Sequence, residues 1–331
     1  MIRHLFVPGL LGPLPWAGHD DHPALPQIER LLARADRLFE PAGYAGGLFA
    51  LFGIEQAAGS DLPTAAVSYF ADAGEAPAGY LLHADPLRLV PDRDCLLAFD
   101  LDDDPLDDDE RNELVQAFNA HYADDGLRLA SDHSGRLYLQ CEQAPSIRTR
   151  PLSAVIGRGL DGHLPVGDAQ REWHSLLNET QMLCYGLDFN RQREALGRPT
   201  LGGLWFSGGG VLPPQGDGPE VRVVGECALA RGLRQLRRGG ERRELIVDRT
   251  VEQAVSRADK GSWVQALVAL DNCVAILLDD CDELHLHPGN GGVHRWHAGA
   301  ARRFWRRRRP LSAWLEDGPQ APVSRGSNKE L

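Results

Sequence analysis

Apolar residues recur along this chain in two distinguishable rhythms. In "PQIERLLARADRLF", Ile28, Leu31, Leu32, Ala35, Leu38 and Phe39 fall on one helical stripe. The same spacing puts Trp173, Leu176, Leu177, Thr180, Leu183 and Cys184 on one face of a helix that Gly186 ends. A shorter helix, "NRQREAL", stops at Gly197 with Pro199 beyond it. Asp107 and Glu110 have the spacing of a capping box ahead of Leu114, Val115, Phe118 and Tyr122, so a helix is expected there too.

Dense short runs give the second rhythm. "GYLLHADPLRLV" and "DCLLAFDL" read as strands meeting at Pro91-Asp92, and "LRLASDHSGRLYLQC" reads as a hairpin. "LPTAAVSYF" (62–70) reads as a buried strand or strand–turn. "GLWFS" is a strand entering Gly208, Gly209 and Gly210. Beyond the linker "GVLPPQGDGPE", strands and helices alternate: "VRVVGE", "ALARGLRQL", "RELIVD", "TVEQAVSRAD", then a long helix over "SWVQALVALDNCVAILLDD". Alternation of this kind favours a layered α/β architecture. "RRFWRRRRPLSAWL" is expected to form an amphipathic C-terminal helix anchored by Phe304, Trp305, Trp314 and Leu315.

Composition narrows the function classes. The net charge of −12 argues against general nucleic-acid binding, which needs cations to displace counterions. No uninterrupted apolar run reaches the roughly 18 residues of a membrane span, so no membrane role is expected. The N-terminal apolar run is broken by Pro8, Gly9, Gly12, Pro13 and Pro15, unlike a signal peptide, and a cytoplasmic protein is expected. Six scattered cysteines without a Cys-x-x-Cys pair read as buried thiols.

Candidate chemistry is sparse. Gly-x-Ser-x-Gly is absent, and Ser207 has no evident base, so no catalytic residue is assigned. Glycines following a strand present backbone N–H groups suited to an anion, and arginines nearby would add charge-assisted bonds. In "ELHLHPGNGGVHRWH", His285 and His287 share one strand face, and a hairpin would return His294 towards them as a possible metal set. "GHDDH" (18–22) reads as a solvated loop.

The block "LNETQMLCYGLDFNRQREALGRPTLGGLWFSGGG", with "GYLLHADPLRLVPDRD", resembles the RpfE-type regulatory proteins, which are related to cofactor-independent phosphoglycerate mutases of the archaeal type. Asn178, Glu179, Gln181, Met182, Asn190, Arg193, Glu194, Gly197, Pro199, Leu204, Trp205 and Gly208 to Gly210 carry the likeness, with His83, Ala84, Asp85, Pro86 and Asp92. Leu187-Asp188-Phe189 and Gly202-Gly203 depart from the family pattern. The resemblance implies a reduced alkaline-phosphatase-like α/β core, from 1–77 and 200–331, with an inserted α+β domain at 78–199; the polar ending in "SRGSNKEL" reads independently as a disordered tail, 318–331. The resemblance also implies an anion pocket formed by Asn190, Arg193, Gly208, Gly209, Gly210, His83 and Asp85. The mutases' Asp-Gly metal segment is missing from "RHLFVPGLLGP". The expectation is therefore a regulatory or ligand-binding protein without cofactor, its partner a small phosphorylated metabolite or another protein. A metal-dependent phosphoryl-transfer enzyme, with a divalent metal at His285, His287 and His294, is the alternative.

Overall fold

The computed structural model describes the chain apart from residues 17–21, 41–42, 57–58, 93–94 and 316–331. Most of "GHDDH" and the whole of the 318–331 tail lie outside the described residues. In chain order the elements are β1 (Ile2–Phe6), α1 (Pro26–Arg34), β2 (Asp36–Phe39), α2 (Tyr44–Leu51), α3 (Thr64–Ala73), β3 (Tyr80–Asp92), β4 (Cys95–Phe99) and α4 (Asp108–His121). They continue with β5 (Leu127–Ser131), β6 (Leu137–Cys141), α5 (Gln170–Gly186), α6 (Asp188–Ala195), β7 (Gly203–Gly210), β8 (Gly216–Asp217) and β9 (Glu220–Val224). The last are α7 (Ala228–Leu236), β10 (Arg237–Arg238), β11 (Arg242–Val247), α8 (Thr250–Ser256), α9 (Lys260–Asp280), β12 (Glu283–His287), β13 (Gly292–His297) and α10 (Ala298–Ala301). Sheets and helices alternate in layers, the α/β class expected of the sequence.

The chain divides into two compact units, Met1–Tyr44 with Asp248–Leu331, and Ala45–Val247. This division is discontinuous, and its lines fall at 44/45 and 247/248 rather than around 78–199. β7 explains the wider second unit. It pairs antiparallel with β3 from Leu87↔Gly203 to Leu81↔Gly210, so it cannot be parted from the strands before it.

In the first unit the strands run β2-β13-β12-β1. β1 and β12 are parallel, in the register His4↔His285 and Phe6↔His287. β12 and β13 form the expected hairpin, with Leu286 opposite His294. α9 is long and apolar enough, by length and composition, to cross a membrane. Here it buries Trp263, Leu267, Leu270, Val274 and Leu277 and lies against α1 and α8. Asp271 in its middle accepts from the amides of Gln27 and Ile28 (2.9 and 2.8 Å), satisfying the open N-terminus of α1. A carboxylate used in this way marks α9 as a packing helix.

In the second unit β3 is the hub. It pairs with β6 through Tyr80–His83, with β4 through Arg88–Asp92, and with β7 along its other edge. Leu82, Ala84 and Leu87 face a large core with Leu114, Phe118, Trp173, Leu177 and Trp205. Leu81 faces the other way, onto Ala65, Ala66 and Tyr138. The capping box at Asp107 is present in both directions, with Glu110 N donating to Asp107 (2.9 Å) and Asp107 N to Glu110 (3.0 Å).

Three expectations need correction. The stripe after Pro26 is two elements: the helix stops at Arg34, and Leu38 and Phe39 belong to the edge strand β2, where Phe39 is exposed. "LPTAAVSYF" is helix, since a short apolar run has no period of its own to separate the two states. The basic C-terminal stretch forms no amphipathic helix; a single 3-10 turn covers Leu311–Ala313, and Phe304 and Trp305 stay exposed. Consecutive arginines repel one another, and Pro310 bars helix continuation.

Candidate functional site

The arginine of the matched block is occupied. Arg193 is 1% exposed, and a guanidinium has five N–H donors. Nε and Nη2 fork onto Glu110 (2.7 and 2.5 Å). Nη2 also donates to Pro105 O (2.9 Å), and Nη1 to Asp104 O and Pro199 O (both 3.0 Å). All five are spent within the chain. Burial pulls the Glu110 carboxyl up, but Arg193 and the Asp107 amide outweigh that and hold it below the usual range. Asn190 is equally filled: its amide donates to Cys184 O and Leu201 O (both 2.7 Å) and its carbonyl accepts from Leu201 N (2.8 Å). These two residues pin α6 and its following loop to the core rather than offering donors to an anion.

The glycine run is also not a cradle. Gly208 (φ +63°) lies within β7 against α3, where a Cβ would strike the Thr64 hydroxyl; at Gly209 it would meet Tyr80, and at Gly210 Pro63. Bare glycines let the start of α3 lie directly on β7. His83 is half-buried beside them, its ring 5.5 Å from that of Tyr138. Desolvation lowers its imidazole to about 4, so it is neutral at pH 7. Asp85 follows two residues on along β3, opposite Trp205. The expected pocket is thus split: Asn190 and Arg193 are bound into the α6 region, while Gly208, Gly209, Gly210 and His83 sit against α3.

What the glycine strand does reach is a cavity of about 620 Å³ in the same unit. Its wall includes Ser60, Asp61, Arg148, Thr149, Arg150 and Leu164. Gly208 N donates to Thr149 Oγ1 (3.2 Å). Thr149 in turn gives its amide (2.8 Å) and its hydroxyl to Asp61. Arg148 is held by a two-way bridge to Val166, 2.7 Å from Arg148 N to Val166 O and 3.0 Å back. Arg150 O accepts from the buried Trp205 Nε1 (2.8 Å). The backbone on either side of Thr149 is therefore fixed, while Arg148 and Arg150 are themselves exposed at the cavity wall. Among the described residues neither makes a hydrogen bond or an ion pair, and Arg148 has only a through-space attraction to Asp61. Burial pushes Asp61 up from the usual carboxylate value, against the pull of Thr149. The cavity wall thus carries two cations and one carboxylate, Asp61, which Thr149 binds and Arg148 attracts. No motif advertises "IRTR"; its signal was only charge alternating with a hydroxyl.

In the first unit a second cavity, of about 640 Å³, is lined by Arg37, Trp305, Arg306, Arg309 and Trp314. Its arginines are partly engaged: Arg37 lies 4.6 Å over the Trp314 ring and Arg306 donates to Ala35 O (3.2 Å). Asp36 on its rim is held at about 2 by Arg303 and His297.

The histidines divide by strand face. His285 and His287 share a face of β12, as expected. His294 does not join them. It lies opposite Leu286, whose side chain points to the other face, and it packs against Trp314 (6.1 Å). Desolvation lowers it to about 4. The third imidazole beside His285 and His287 is His4. Its partners lie some 280 residues away across a parallel strand pair, which no local spacing reveals.

Comparison with family models gives no match, and comparison with the curated proteins gives none either. Among solved structures, the chain is similar to the PH0037 protein from Pyrococcus horikoshii, at 11% identity over 94% of this chain and 91% of that one, with a TM-score of 0.52. It also matches a cofactor-independent phosphoglycerate mutase from Thermoplasma acidophilum, at 13% identity over 95% and 94% of the two chains, with a TM-score of 0.40. The first likeness shows a shared fold, and nothing about activity.

Proposed function

We propose that this chain is a regulatory, ligand-binding protein of the RpfE type, a relative of the cofactor-independent phosphoglycerate mutases without mutase turnover. Its ligand is a small phosphorylated metabolite, held in the cavity of the second unit by Arg148 and Arg150. The supporting observation is the pair of arginines flanking Thr149, whose guanidinium groups make no hydrogen bond or ion pair among the described residues, on a backbone pinned at Val166 and Trp205. Planar donor forks on a fixed backbone suit phosphate oxygens, and holding the backbone in advance lowers the ordering cost of binding. The sequence supports the absence of turnover: phosphoryl transfer needs charge neutralisation at the migrating group, and the mutases' Asp-Gly metal segment is missing from the N-terminus.

Calorimetric titration with 3-phosphoglycerate and inorganic phosphate tests the reading. Saturable heat is expected from the native chain, falling at least tenfold in affinity in R148A/R150A. Silence from the native chain across phosphorylated sugars and acids would remove the ligand. Interconversion of phosphoglycerates by the purified chain would remove the non-catalytic assignment.

A further inference from the structure

We propose that His4, His285 and His287 form a mononuclear site for a divalent transition metal of the zinc class. One ring nitrogen from each lies within 4.8 Å of those of the other two. His4 Nδ1 and His287 Nε2 are 3.1 Å apart. A tetrahedral ion with Zn–N bonds of about 2.0–2.1 Å holds its ligand nitrogens about 3.4 Å from one another. One edge of the coordination polyhedron is therefore almost made, and the third ligand closes by a small swing of His285, the most exposed of the three rings.

The backbone fixes this convergence. His4 and His285 are register partners on parallel strands, and His287 follows two residues along the same face. Phe6, the partner of His287, stacks on its ring at 4.0 Å and 6° and sets its plane.

Behind the imidazoles stand carboxylates, the arrangement that orients metal-binding histidines and raises their basicity. Glu40 lies 3.3 Å from His287 Nδ1, on the ring edge away from His4. Glu283 lies 2.6 Å from His285 Nε2. Arg295, the register partner of His285 on β13, is 3.7 Å from Glu283 and balances part of that charge. His4 and His287 are 4% and 3% exposed, so two of the three rings stand shielded from bulk water. Three nitrogen donors without a thiolate suit zinc or cobalt, and three protein ligands leave one coordination position for an exchangeable group. The site lies wholly in the first unit and does not depend on the anion cavity. A single ion here does not supply the ion pair that the mutase chemistry needs.

The test uses the full chain, stripped with chelator and titrated with zinc chloride. One zinc per chain is expected. H4Q, H285Q and H287Q should each weaken binding at least a hundredfold, E40Q about tenfold, and H294Q, on the opposite face, not at all. Retention of full zinc affinity in the three ligand variants, or uptake of no zinc by the native chain, would overturn the site. Should the variants not fold, cobalt(II) titration of the native chain decides. Intense visible bands of a four- or five-coordinate ion support the site, and the weak spectrum of octahedral cobalt overturns it.

Discussion

Arg193 and the pair Arg148/Arg150 are the same side chain put to opposite uses within one unit. Arg193 belongs to the sequence block that carries the family resemblance, yet its five donors all end on Glu110 and three backbone carbonyls. Arg148 and Arg150 belong to no recognisable motif, yet they line a cavity without ion-pair partners among the described residues. A matched motif can report how a fold is fastened rather than what it binds. The separating property is satisfaction: a buried guanidinium has to be paired to exist at all, whereas a projecting one keeps its donors for a ligand.

The largest effect should come from breaking the closed side of this pair. Glu110→Ala strips the buried Arg193 of its forked carboxylate, leaving only Asp104 at 3.5 Å, removes half of the α4 capping box, and is expected to cost about 3 kcal/mol in denaturant unfolding. Arg193→Met with Glu110→Met should cost much less than the sum of the single changes, because both charges leave together. Additive costs would mean that the pair is not a unit.

Acid should expose a second weakness, at His83. Its folded value of about 4 lies below the ordinary 6.5, so the unfolded chain binds the proton more readily. The stability from keeping this ring neutral is complete above pH 6.5 and is lost as pH falls towards 4, by at most about 3 kcal/mol. A melting temperature that falls over this window in the native chain but less in His83→Gln would match. Equal falls would place the acid sensitivity elsewhere.

On the open side the expected change in stability is small. R148A and R150A should each alter unfolding free energy by no more than about 0.5 kcal/mol, since neither side chain holds the fold. A larger loss would show that these arginines also fasten something.

How much of this was readable in advance varies with the range of the interaction. The Asp107–Glu110 capping box, the 127–141 hairpin and the α5 stripe are local patterns, and each stands where the sequence placed it. The run 62–70 was misread because Ala65, Ala66 and Val67 suit helix and strand alike; the close fit of α3 on the bare Gly208–Gly210 backbone accompanies the helix. The stripe after Pro26 was overextended because Leu38 and Phe39 keep its period while their backbone pairs with β13. The sites were least legible. His4 meets His285 only through parallel pairing of the chain's two ends, and His294 drops out because one step along a strand reverses the face. Donor saturation at Asn190 and Arg193 is a property of three dimensions and leaves no trace in a motif.

The most direct test of the ligand assignment is a calorimetric titration of 3-phosphoglycerate into three forms of the full chain: native, R148A/R150A, and the charge-free Arg193→Met/Glu110→Met pair. The account predicts saturable binding to the native chain, at least a tenfold loss in R148A/R150A, and near-native affinity in the folded Arg193 variant. Native affinity in R148A/R150A together with loss in the Arg193 variant would contradict it.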